Sequence, residues 1–279
     1  MIDPKILSEP SMLREIVLKT IDRIAKEKIK TGLTRLREMA ANVPRVPFEF
    51  SKNFLTDELS IIAEVKFSSP SKGVIAQGLA PIEVAKEYLD AGAKALSVLT
   101  EPLFFKGSIS YLQEIRKKFP NARLLMKDFV VDEYQVYQAR AYGADAILII
   151  AALFDEHSLK EMVSKVQENG LESLIEVHDE RELKLALETT TKLIGINNRN
   201  LKTMKIDLGT SEKLGPHVPA DICLVSESGI ANADQIRNLV RFGFRTFLIG
   251  TELMKTSSPG EALKKIIEDL KLIPKEMNK

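Results

Sequence analysis

The chain has 279 residues, 44% of them hydrophobic and 28% charged, which is enough apolar content to bury the core of one large domain or two small ones. Its 40 basic and 39 acidic side chains leave a formal net charge of +1 spread along the sequence, which excludes the one-sided basic surface of a nucleic-acid binder. The longest apolar run, Ala146 to Phe154, falls far short of the roughly 20 residues a membrane helix needs, and the opening MIDPKILSEP has no basic region followed by a hydrophobic stretch, so a cytoplasmic protein is expected.

A lone cysteine, Cys223, rules out an internal disulfide, fits a reducing compartment and reads as core within the apolar run Ile222 to Val225. His157, His178 and His217 are far apart and have no cysteine neighbours, so no metal site is expected.

From Ser11 to Ala41 the apolar residues Leu13, Ile16, Val17, Ile21, Ile24 and Ala25 recur mostly at intervals of three and four, which predicts one or two amphipathic helices. The segment Asn42 to Pro47, with two closely spaced prolines, breaks that pattern. Next comes IIAEVKFSSPSKG, Ile61 to Gly73, which opens as a buried strand yet carries Glu64 and Lys66. Side chains two apart on a strand share a face, so these two point together while Ala63 and Val65 point the other way. An acid and a base sharing an interior cost several kcal/mol each, in order of magnitude, unless they are paired, so the pair marks either a functional site or an ion pair near the strand end. The turn-forming group Ser69-Pro70-Ser71-Lys72-Gly73 follows and puts both charges at the carboxyl end of the strand.

The chain then becomes rhythmic. Helix Pro81 to Ala91 leads to strand Ala95 to Leu99, helix Ile109 to Phe119 to strand Arg123 to Met126, and helix Asp132 to Tyr142 to strand Ala146 to Ile150. Helix Glu156 to Asn169 precedes strand Ser173 to Val177, and helix Glu180 to Glu188 precedes strand Leu193 to Ile196. A short, poorly helical segment around Leu208 to Lys213 comes before strand Ile222 to Val225, helix Asp234 to Arg241 before strand Thr246 to Ile249, and a last helix runs from Gly260 to Leu270. Gly92, Gly143, Gly170 and Gly243 punctuate the helix ends. Eight strand-helix units of this kind close into an α/β fold, a (β/α)8 TIM barrel of parallel strands, occupying residues 50–279, with residues 1–49 as a helical N-terminal extension packed on it. The alternative is a doubly wound open sheet, against which no G-x-G-x-x-G follows an early strand.

Catalytic groups of such barrels stand at the carboxyl ends of the strands. There the sequence has Glu64 and Lys66 on the first, Lys127 and Asp128 on the third, Glu176 on the fifth, Asn197 and Arg199 on the sixth, and Glu227 and Ser228 on the seventh. Glu64, Glu176 and Glu227 with Lys66, Lys127 and Arg199 can satisfy one another at one mouth and still offer donors to an anionic ligand. Ser228-Gly229-Ile230 and Gly250-Thr251 follow the last two strands, where small residues let a phosphate approach backbone N–H groups.

Along nearly its whole length the chain resembles the indole-3-glycerol-phosphate synthase family of tryptophan biosynthesis. The motifs that carry the resemblance are IIAEVKFSSPSKG, LLMKDFVVDEYQVYQARAYGADAIL, LIEVHDE, IGINNRNL, VSESGI and FLIGTELM, for the first, third with fourth, fifth, sixth, seventh and eighth strands. The resemblance implies a cytoplasmic carboxy-lyase that closes 1-(2-carboxyphenylamino)-1-deoxyribulose 5-phosphate to the indole ring with loss of carbon dioxide and water, with no cofactor and no metal. It also implies a small phosphorylated substrate as partner and a monomer or weak homodimer, open to association with other enzymes of the pathway.

By the same resemblance, Lys127 is the general acid on the substrate ketone and Glu176 accepts protons or stabilises the cationic intermediate. Lys66 steers the substrate carboxylate or donates a proton in dehydration, and Glu64 and Asn197 position groups around it. Ser69, Gly229, Gly250 and Thr251 hold the phosphate. Arg199, Glu227 and Ser228 line the mouth, and Phe105 and Phe129 flank the aromatic ring or simply pack. Phe67 and Met126 stand where basic residues are common in the family, and the chain has no tryptophan. Proton donation at neutral pH leads to the expectation that Lys127, desolvated among cations, has its pKa shifted down, with Glu176 pulling the other way. The first fifty residues are expected to cover the mouth and exclude water. A Schiff-base aldolase, a phosphosugar isomerase such as phosphoribosylanthranilate isomerase and a catalytically silent binding barrel are the competing readings.

Overall fold

The computed structural model describes residues 2–8, 10–44, 50–54, 56, 58–70, 73–76, 78–201 and 203–271. Three helices come first, α1 (Pro4–Ser8), α2 (Met12–Lys30) and α3 (Leu33–Ala41). Strands and helices then alternate: β1 (Ser60–Val65), α4 (Pro81–Asp90), β2 (Ala95–Leu99), α5 (Ile109–Lys118), β3 (Leu124–Lys127), α6 (Glu133–Ala141) and β4 (Ala146–Ile150). The second half continues with α7 (Glu156–Glu168), β5 (Glu172–Val177), α8 (Glu180–Leu187), β6 (Leu193–Asn197), α9 (Gly209–Leu214), β7 (Cys223–Glu227), α10 (Ala233–Val240), β8 (Thr246–Ile249), α11 (Thr251–Met254) and α12 (Pro259–Lys271).

Local chemistry explains the helix starts. Ser11, Ser108, Asp132, Asp155, Asp179 and Asn232 each precede a helix, and each side chain accepts a hydrogen bond from the backbone N–H two or three residues on. The glycines expected at helix ends do adopt left-handed backbone, with φ between 68° and 102°.

The eight strands pair in sequence order, all parallel, and β8 returns to β1 through the register Ser60 with Thr246 to Ala63 with Ile249, which closes the barrel. Most strand residues are buried on both faces, as a sheet covered by helices outside and filled by side chains inside requires. At the amino end, the buried Phe50 and Phe54 rings meet edge to face at 5.4 Å, and the N–H of Ser51 donates to Glu172 at the start of β5.

Arg116 makes the chief polar tie of that end. Its guanidinium donates to Asp145 Oδ2 at 2.6 Å and to the carbonyls of Gly143, Pro120 and Ala122, and Asp145 Oδ2 also receives the N–H of Leu124. The Asp145 side chain is 3% exposed, so stranding its charge is costly. Arg116→Ala is expected to lower stability by about 3 kcal/mol, read from urea denaturation. Turnover at the opposite end of the barrel is expected to stay unchanged.

The N-terminal helices pack on the barrel. The N–H of Asp3 donates to Leu153 O, α2 buries Leu13, Ile16, Val17 and Ile24, and Tyr134 of α6 donates its hydroxyl to Thr31 O. Ion pairs from Arg23 to Asp128 at 2.8 Å and from Lys28 to Asp132 at 2.7 Å bind α2 to the segment just beyond β3, at the carboxyl end of the strands.

Several expectations shift at their edges. β3 ends on Lys127 rather than Met126, β1 ends at Val65 so that Lys66 follows it, and the poorly helical segment is the helix α9. A two-stranded hairpin of Ser68–Ser69 with Gly73–Val74, and the single-turn α11, went unseen because pieces this short show no period. Part of the Asn42 to Pro47 break, the 49/50 boundary and Ser71 with Lys72 of the turn lie outside the described residues. No described helix is long and apolar enough to cross a membrane.

Candidate active site

Strand alternation does the first part of the assembly. Glu64, Lys127, Glu176, Asn197 and Glu227 occupy the last inward positions of β1, β3, β5, β6 and β7, and all of them line one cavity of about 200 Å³ at the carboxyl end of the barrel. Lys66, Ser69, Phe105, Phe129, Arg199, Ser228, Gly229, Gly250 and Thr251 line it too, so every residue expected at the mouth is brought to it. From the N-terminal helices Met12, Leu13 and Ile16 close the same space.

Asp128 departs from the expected ring of charges. It borders the cavity, but its carboxylate turns to Arg23, to the Thr100 hydroxyl at 2.9 Å and to the Phe129 N–H at 2.8 Å. Burial raises its pKa against the opposing pull of Arg23 and Thr100. Of the residues noted as unusual, Phe67 packs edge-on against Tyr111 at 6.0 Å, and Met126, of opposite parity to Lys127, is buried away from the cavity.

The charges are paired from below. Lys66 Nζ meets Glu64 in close contact, and the Ser97 hydroxyl lies 3.4 Å from the other Glu64 oxygen. Lys127 Nζ is shared by Glu227, in close contact, and by Glu176 at 3.1 Å. Burial lowers the affinity of Lys127 for its proton, but Glu227, Glu176 and Glu64 together outweigh burial and hold the pKa well above the ordinary lysine value. The expected downward shift is therefore overturned, because carboxylates and not cations surround this ammonium.

The two partners diverge. Burial, then the charges of Glu176 and Glu64, push the Glu227 carboxyl up to about 7 against the pull of Lys127. Glu176 is buried as deeply, yet Lys127, His178 and Asn197 hold it well below the usual carboxylate range.

Backbone geometry shapes the rim. Ser228 and Gly229 are both left-handed, with φ of 64° and 85°, and Asn198 Nδ2 ties the carbonyls of Glu227 and Ser228 at 3.0 Å each. A side chain at Gly229 would meet Ile206 Cγ2 at 2.5 Å, and one at Gly250 would meet Glu64 Oε1 at 2.6 Å, so both positions admit only hydrogen. Gly250 also precedes the short helix α11, whose first residue, Thr251, lines the cavity. The rings of Phe105 and Phe129 lie 6.0 Å apart, inclined at 38°, and the Phe105 loop is held by Glu101, whose carboxylate accepts N–H bonds from Leu103, Phe104 and Phe105.

Two buried polar atoms that line the cavity, Ser69 Oγ and Glu227 Oε1, have no hydrogen-bond partner among the described residues. Buried polar groups are normally satisfied; Ser69 Oγ is left with a hydrogen bond to offer, whereas Glu227 Oε1 turns toward Gly195.

Sequence reasoning missed Glu101, Leu201, Met204, Ile206 and His178. His178 had a readable signal: it stands two residues beyond Glu176, the same spacing that singled out Glu64 with Lys66. Its Nε2 lies 3.3 Å from Glu176 Oε1.

Residues 13–266 match the sequence family described as indole-3-glycerol phosphate synthase. A protein named indole-3-glycerol phosphate synthase from Ruminiclostridium cellulolyticum is 43% identical over 256 residues, covering 91% of this chain and 98% of its own. One of the same name from Campylobacter curvus is 42% identical over 260 residues, covering 92% and 99%. Among solved structures, 3-hexulose-6-phosphate synthase from Salmonella typhimurium matches 76% of this chain and 98% of its own with a TM-score of 0.61 at 12% identity, a likeness of fold alone.

Proposed function

The chain belongs to the indole-3-glycerol phosphate synthase family, carboxy-lyases of tryptophan biosynthesis, and from that premise we propose how its cavity divides the ring closure of 1-(2-carboxyphenylamino)-1-deoxyribulose 5-phosphate among its residues. The observation that carries the reading is one cavity in which two lysines and three glutamates converge with an unsatisfied hydroxyl and an unsatisfied carboxylate oxygen.

The phosphate enters between Ser69, Gly229, Gly250 and Thr251, using the free Ser69 hydroxyl and the backbone N–H groups of these small residues. The anthranilate ring lies against Phe105 and Phe129, with Arg199 and Ser228 on the wall. Lys66, tethered by Glu64, faces the substrate carboxylate and offers a proton when the hydroxyl later leaves as water. Asn197 orients the Glu176 carboxylate.

As the aromatic carbon attacks the ketone, its oxygen becomes an alkoxide, and Lys127 gives it a proton. The raised pKa of Lys127 keeps it an ammonium throughout the working pH range, and a developing alkoxide is more basic still. Glu176, held ionised, stabilises the cation left on the substrate and, after carbon dioxide departs, takes the proton lost from the methylene carbon next to nitrogen as the hydroxyl leaves as water. Glu227, close to Lys127 and poised near 7, is the group able to return a proton to it.

Incubation with the carboxyphenylamino ribulose phosphate is expected to produce indole absorbance and fluorescence together with one carbon dioxide per turnover. A borohydride-trapped adduct on a lysine, or ketose-aldose isomerisation without carbon dioxide, would replace this reading with one of its rivals.

The N-terminal helices α1 to α3 act in this scheme as an extension that roofs the substrate. Met12, Leu13 and Ile16 line the cavity, and the Arg23 to Asp128 pair latches α2 next to Lys127. Deleting residues 1–41 is expected to raise KM by about tenfold and lower kcat, measured by steady-state kinetics on the truncated chain. Unchanged KM would remove the roof from the scheme.

A further inference from the structure

His178 continues β5 on the same side as Glu176 but one step nearer the rim. Its Nδ1 lies 2.9 Å from Glu182 Oε2 on α8, its backbone N–H donates to that same oxygen at 2.8 Å, and Nε2 stands 3.3 Å from Glu176 Oε1, an ion-pair contact without hydrogen-bond geometry. The imidazole side chain is 11% exposed and opens on an outer cleft between α8 and α9, where Asp179, Arg181, Asp207 and Lys213 lie, rather than on the catalytic cavity.

An imidazole with a carboxylate close to each nitrogen is favoured electrostatically when it carries both protons. Burial opposes the charge, but Glu176 and Glu182 prevail and raise its pKa to about 10.

The division of roles proposed for the cavity creates a need for such a group. Glu176 has one cation on the catalytic side, Lys127, and that is the group that gives up a proton. Once Lys127 is a neutral amine, Glu176 loses its ion pair while the Glu227 carboxylate remains beside it, Glu64 being offset by Lys66. It would then capture a stray proton before the methylene carbon of the substrate releases its own.

We propose that His178 is a positioning residue, a fixed imidazolium anchored by Glu182, which keeps Glu176 ionised and oriented while Lys127 discharges and recovers its proton. The proposal rests on the reading of Glu176 as the proton acceptor, but its first test does not use turnover.

The full chain is labelled with 13C at the glutamate carboxyls, the Glu176 signal is assigned by its loss in Glu176→Gln, and it is followed through pH in the wild type, His178→Gln and Glu182→Gln. In the wild type Glu176 is expected to stay ionised to the acid limit of the folded protein. In His178→Gln its titration moves up by at least about one pH unit, and in Glu182→Gln by less in the same direction.

Kinetically, the acid limb of the kcat profile moves with it. On the acid side only, kcat falls about tenfold for each pH unit by which the titration moves, while KM holds. A Glu176 carboxyl that stays ionised over the same range in both variants, or a loss of kcat equal at every pH, overturns the proposal. Should His178→Gln fail to fold, Glu182→Gln decides by the same two readouts. A wild type that forms no indole while the Glu176 titration moves as stated would refute the assigned reaction and leave the role of His178 standing.

Discussion

Replacing Lys127 with alanine is expected to lower kcat by about a thousandfold, the loss that follows from removing a positioned proton donor. KM changes little, because phosphate and ring are held by other residues of the cavity. Near wild-type turnover would remove Lys127 from its role as general acid.

The same substitution has a second signature. Without the ammonium, Glu227 is left buried at 1% exposure beside Glu176 and Glu64, and its pKa, already about 7, climbs further. An unfolded glutamate titrates near about 4.3, so between that pH and the raised value the folded variant binds more protons than the unfolded chain. Stability of Lys127→Ala therefore increases as pH falls through this window and is lost as pH rises. Urea midpoints at about pH 5 and pH 8 are expected to differ more in the variant than in the wild type. A loss of activity with no change in this slope would indicate that Glu227 is not paired with Lys127 in solution.

Gly195→Ala is expected to cost about a hundredfold in kcat without altering any charge. Gly195 lies on β6 beside β7, and a methyl group there would fall 2.1 Å from Glu227 Oε1 and 3.1 Å from its carboxyl carbon. A free glutamate would swing aside at little cost, but this one is held by Lys127 in close contact, so moving it displaces the ammonium proposed as proton donor. A shift of about 1 Å in a reacting group is enough for a loss of that size. The overpacked strand also loses about 1 to 3 kcal/mol of stability.

Shortening the colliding side chain tests the cause. In Gly195→Ala combined with Glu227→Asp, the loss in kcat is expected to be smaller than the product of the two single losses, since the shorter carboxylate leaves room for the methyl group. Strict multiplication would mean that the two positions do not interfere.

Much of this site is legible in the chain's own pattern. Period-two alternation places Glu64 with Lys66, and the rule that chemistry gathers at the carboxyl ends of barrel strands names Lys127, Glu176, Asn197 and Glu227. Less legible are groups whose meaning depends on what crosses over from elsewhere. Glu101 reads as a loop charge until its carboxylate is seen gathering three consecutive N–H groups beneath Phe105. Gly195 looks like a weak spot in a strand until the Glu227 carboxylate is found against it.

What the sequence by itself determined is the order of elements and the inward parity of the charged side chains at the cavity, because both follow from short-range periodicity and local capping. Only the tertiary structure decided the proton affinities. Lys127 was expected to lose its proton more easily and instead holds it tightly, because barrel closure brings glutamates from three other strands around it. Electrostatic energy depends on distances across the barrel, between residues as far apart in sequence as 64 and 227, and such distances have no trace in the local pattern of the chain.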